Sequence, residues 1–109
     1  MKKVAVILAD GFEEIEALTS VDVLRRPGAI ASIASLKDAQ IRGAHNISVK
    51  ADVTLREVEE LGYDAIVLPG GLPGAENLAN DTKLREILQE FDKKGKLICA
   101  ICAAPMVLE

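Results

Sequence analysis

Lys3–Ala9 (KVAVILA) is an uninterrupted apolar run. A strand with one wet face alternates apolar and polar residues. A run without alternation needs cover on both faces, as in a parallel sheet between helices. Similar runs recur at Asp64–Leu68 (DAIVL) and Leu97–Ile101 (LICAI), and a weaker one, diluted by alanine and serine, at Ala29–Leu36 (AIASIASL). Helical segments separate them. Glu13–Arg26 places Ile15, Leu18, Val21 and Val23-Leu24 on one expected apolar stripe, and Pro27-Gly28 stops it. Thr54 and Glu57 match a capping box opening a short helix to Leu61. Asn80 or Asp81 caps a helix through Lys94, with Leu84, Ile87, Leu88 and Phe91 on its apolar face and Gly95 beyond its end. Ile47, Val49 and Ala51 alternate within Gln40–Asp52, which predicts a short strand or hairpin arm. The expectation is one α/β domain, a parallel sheet sandwiched by helices.

The chain has 109 residues, room for one domain, and is 50% hydrophobic and 28% charged, a globular balance. A net charge of −4 argues against non-specific nucleic-acid binding. Val4–Ala9 is too short to span a bilayer, and the acidic residues that follow do not suit a secretory leader. No nucleic-acid or membrane partner is expected, and two cysteines in such a chain suit a reducing, cytoplasmic setting.

Ligands of parallel sheets gather outside the carboxyl ends of the strands. Asp10–Glu16, Pro69–Gly74 and Cys102–Pro105 all follow strands. A cysteine between a strand and a helix start faces unpaired backbone N–H groups and the positive end of the helix dipole, which lower a thiol pKa. Cys102 is therefore a candidate nucleophile, with a buried small hydrophobe as the alternative. Cys99 and Cys102 form C-x-x-C. Residues three apart on a strand point to opposite faces, so a disulfide fits poorly. A structural zinc site needs about four ligands, and His45 is the single histidine. Cys99 is expected in the core, and His45 on the surface of a polar hairpin. Glu13 and Glu14 fit solvent-facing acids at a helix start. Glu16 fits the same description, or else turns inward over the sheet edge, where beside a thiolate it would be protonated. Gly70-Gly71 forms either an ordinary turn or a pair of bare backbone donors for an oxyanion. Walker and dinucleotide-binding glycine motifs are absent, and neither a metal nor an organic cofactor is expected.

Three stretches, VAVILADGFEEIEALTSVDVLRR (4–26), YDAIVLPGGLPGAENL (63–78) and KLICAICAAP (96–105), resemble the DJ-1/PfpI superfamily in content, order and spacing, most closely its DJ-1/YajL branch. The resemblance covers nearly the whole chain. It implies a flavodoxin-like fold, usually a homodimer. It matches Cys102 to the family's oxidation-sensitive nucleophile at a strand-to-helix elbow, and Glu16 to the protonated glutamate that hydrogen-bonds its sulfur. Gly70 and Gly71 match nearby backbone donors, with Ala103 next to the cysteine. The implied functions are cofactor-free glyoxalase action on methylglyoxal, deglycation of early glycation adducts, and redox sensing or chaperoning. A peptidase role belongs to the PfpI branch, which carries histidine where Ala103 stands. The family continues past the elbow and there supplies a further histidine, which has no counterpart among residues 1–109. The chain is thus expected to be the N-terminal portion of such a domain, truncated after the elbow and completed by a missing segment or a dimer mate.

Overall fold

A computed structural model describes residues 2–101 of the protein. Cys102 and Ala103, with the elbow turn and the helix expected after them, lie outside the described residues. The elements are β1 (Lys3–Leu8), α1 (Glu14–Arg25), β2 (Ile30–Ser35), β3 (Gln40–Arg42), β4 (Ser48–Lys50), β5 (Val53–Thr54), α2 (Leu55–Glu60), β6 (Ala65–Leu68), α3 (Gly74–Ala79), α4 (Thr82–Lys93) and β7 (Leu97–Ala100). Among the described residues no helix is long and apolar enough to cross a membrane.

Five strands form one parallel sheet in the order β5-β2-β1-β6-β7. Val4 on β1 pairs with Ala31 on one side and Ala65 on the other. Side chains alternate across the sheet, so β1 feeds two cores. Val4, Val6 and Leu8 pack with Phe12, Ala17 and Val21 around α1. Ala5, Ile7 and Ala9 pack with Leu55, Val58, Leu84, Ile87, Leu88 and Phe91 from α2 and α4. This two-sided burial explains the continuous apolar run of β1. The chain winds from β1 to β2 and β5, then crosses to the other side of β1 for β6 and β7. The strand order reverses between β1 and β6, and the carboxyl ends at such a point are where sheets of this kind place ligands.

Several sequence expectations change. The hairpin forms, but as a separate antiparallel pair, β3 and β4, with Ile41 opposite Val49. Residues Gly74–Ala79, for which no element was expected, form α3; its single turn and a half has no side-chain cap and no periodic signal to announce it. Asp81, not Asn80, caps α4 through Leu84 N. The stripe expected on α1 is narrower: Ala17 and Val21 are buried, whereas Ile15 is 73% and Val23 56% exposed. Cys99 is not in the core. It is exposed, because β7 is an edge strand whose burial alternates: Ile98 and Ala100 pack against the α2–α4 side, and Leu97 and Cys99 point to the α1 side, beyond the reach of α1 over β1 and β2.

Candidate functional site

The loops that follow β1 and β6 meet at the reversal point. Glu13 caps α1, its carboxylate accepting from Ile15 N (3.2 Å) and Glu16 N (3.3 Å). The peptide of Gly70 bonds to this helix start in both directions. Glu13 N donates to Gly70 O at 2.9 Å, and Gly70 N donates to Glu16 Oε1 at 2.9 Å. Gly71 follows with φ +102°, and a Cβ there would strike the backbone of residues 11–13. Only glycine lets the loop lie this close to α1.

Glu16 is half-buried and turned inward over the sheet edge. Of the two readings open in the sequence, the inward one holds. Its other oxygen, Oε2, has no hydrogen-bond partner among the described residues. The Gly70 amide, expected as an oxyanion donor, is instead engaged by Glu16. The Gly71 amide has no acceptor among the described residues. Nearby, Ile101 N donates to Leu68 O at 3.0 Å, so β7 stays bonded to β6 up to the residue before Cys102. A carboxyl fixed through one oxygen can pass a proton to or from a group placed beside the other.

One acid of this region sits differently from its expected place, and its partner gives no local signal. Glu14 is not solvent-facing but 4% exposed. Its Oε2 accepts from His45 N (2.7 Å) and Ile47 N (3.4 Å), and its Oε1 pairs with His45 Nδ1 (2.9 Å). Burial opposes ionisation of Glu14, but the His45 ring and the backbone donors outweigh it and lower its pKa to about 2. The same hydrogen bond, reinforced by the charge of Glu14, raises the pKa of His45 above 6.5. His45 is on the surface as expected, with a 71% exposed side chain, yet it is tied to a buried acid. Thirty-one positions separate the pair, so no local motif announces it. Gly43 is the one hint: its φ is not positive, and a Cβ there would collide with the Glu14 carboxylate. Glu13, Glu14 and His45 offer ligand atoms within 4.8 Å of one another. The two carboxylates already serve as helix cap and hairpin anchor, so this grouping is accounted for by the fold.

Residues 2–109 match the model of the DJ-1/PfpI family. Protein DJ-1 homolog B of Arabidopsis thaliana is 41% identical over 105 residues, covering 95% of this chain and 24% of that protein. Deglycase PfpI of Pyrococcus furiosus is 35% identical over 106 residues, covering 97% of this chain and 63% of that protein. The structure of oxidized DJ-1 from Toxoplasma gondii superposes with a TM-score of 0.93 at 44% identity, covering 98% of this chain and 59% of that one. The chain thus spans between a quarter and two-thirds of the length of these proteins.

Proposed function

The chain belongs to the DJ-1/PfpI family, and from that premise we propose that Cys102 acts as a reactive thiolate with Glu16 as its proton partner, on methylglyoxal or an early glycation adduct. The Glu16–Gly70 bond carries the reading. It sets a carboxyl against the loop after β6, and the end of β7 is tied to Leu68, the last residue of β6. In the proposed step the Cys102 thiolate attacks the aldehyde carbon. A C–S bond forms and the carbonyl electron pair moves to oxygen. Backbone N–H groups of Gly71 and Ala103 stabilise that oxyanion. Protonation from Glu16 completes a hemithioacetal. The similarity to a deglycase from Pyrococcus furiosus supports carbonyl chemistry of this class. Cys102→Ala should abolish methylglyoxal consumption; undiminished turnover would reject the mechanism.

A second reading rests on the likeness to a DJ-1 structure described as oxidized. Here peroxide supplies oxygen to the Cys102 thiolate, giving sulfenate and then sulfinate, and the protein serves as a redox sensor or chaperone. Intact and peptide mass spectrometry after mild peroxide separate the two: a gain of two oxygens at Cys102, without aldehyde turnover, favours the sensor.

A further inference from the structure

Glu14 is a buried carboxylate for which the proposed chemistry has no use, yet it sits two residues from Glu16 in the first turn of α1. Positions two apart on a helix point to nearly opposite sides. Glu14 reaches the β3–β4 turn, and Glu16 reaches the loop after β6. The start of α1 is therefore held from both flanks. On the hairpin side, Gly11 N donates to Arg42 O (2.8 Å) and Ala44 N to Phe12 O (2.8 Å), but these bonds hold the loop before the helix. Glu14 holds the helix itself, through His45 N, Ile47 N and the His45 ring.

We propose that Glu14 is a positioning residue: clamped by the β3–β4 turn, it fixes the rotation of α1 and so holds Glu16 against the Gly70 amide. A helical carboxyl lies about 5–6 Å from the axis, so a turn of about 10° moves it by about 1 Å. A misplacement of that size can cost about 100-fold in rate. The inference rests on the proposed role of Glu16, but the clamp itself has a readout independent of activity.

The test follows the Gly70 amide resonance in the 109-residue chain, with Glu16→Ala marking its position when the bond to Glu16 is lost. Glu14→Ala should move the resonance toward that position. Glu14→Gln should leave it near wild type, since its carbonyl can accept from the two amides while its NH2 donates to the neutral His45 ring. In turnover, Glu14→Ala should lower kcat by about 10- to 100-fold with KM little changed. The Glu14→Ala/Glu16→Ala double variant should be no slower than Glu16→Ala alone. Should Glu14→Ala fail to fold, Gly43→Ala provides the same test, because its new methyl group meets the Glu14 carboxylate first. An unmoved Gly70 resonance in the folded variant, or additive losses in the double variant, would overturn the clamp. If instead Cys102→Ala turns over like wild type, the functional reading fails, and the Gly70 resonance still judges the clamp by itself.

Discussion

At the scale of single residues, the buried polar groups make the sharpest predictions. His45 is the only histidine, so its ring protons titrate without overlap. Its pKa lies above 6.5 through the hydrogen bond to Glu14 and the charge of that carboxylate. Glu14→Gln should return it to about 6.5 or below, read by proton NMR; an unchanged titration would show that the pair does not form in solution. The signs of the two shifts define a pH window. Glu14, lowered from 4.5 to about 2, contributes stability in full above 4.5, and that contribution is lost as pH falls toward about 2. His45, raised above 6.5, contributes in full below 6.5 and loses its contribution as pH rises through the folded value. The hairpin is therefore held most firmly between those limits, with Glu13 the other charge facing the ring. Two serines on β2 make a further contrast. Ser32 accepts from Tyr63 OH at 2.8 Å, whereas Ser35 Oγ is buried and has no partner among the described residues. Ser35→Ala should thus stabilise the fold by about 1 kcal/mol in urea unfolding; a loss of that size would mean that the hydroxyl has a partner.

At the scale of elements, α4 shows how local chemistry sets a boundary. Asp81 accepts from Leu84 N at 2.8 Å, and Asp81→Ala should cost about 1 kcal/mol in unfolding midpoint; no change would place the start of the helix elsewhere. What the sequence made legible follows the same logic. The strands β1 and β6 were readable because burial on both faces leaves no polar position. The helix α4 was readable because one buried face repeats Leu84, Ile87, Leu88 and Phe91. The capping box of α2 holds, with Thr54 and Glu57 bonding reciprocally. The misreadings concern features that depend on distant neighbours. Apolar character identifies Ile15, Val23 and Cys99 as candidates for burial, but not whether another element lies over them. Acidic character likewise does not tell Glu14, which meets a hairpin, from Glu13, which caps its own helix. The inward turn of Glu16 depends on a bond across 54 positions of sequence.

At the scale of the molecule, the sheet is covered unevenly among the described residues. Leu97 and Cys99 on β7 face the α1 side and are exposed, as are Ile15 and Val23 on α1. Apolar surface of this kind favours association. We propose that a second copy of the chain, or the segment that follows the elbow in the family, covers it; alone, the chain should then sediment as species heavier than 11.6 kDa as concentration rises, and a single compact 11.6 kDa species at all concentrations would contradict this. The same topology reverses the strand order between β1 and β6, and there it joins α1 to the loop after β6 through Glu13, Glu16 and Gly70. The proposed chemistry needs a thiolate beside that junction. Its most direct test is the pH dependence of alkylation at Cys102, resolved by peptide mass spectrometry to separate it from Cys99. The thiol pKa should lie well below the free-cysteine value of about 8.5 and should shift when Glu16 is replaced by alanine. A value near about 8.5, indifferent to Glu16, would contradict this.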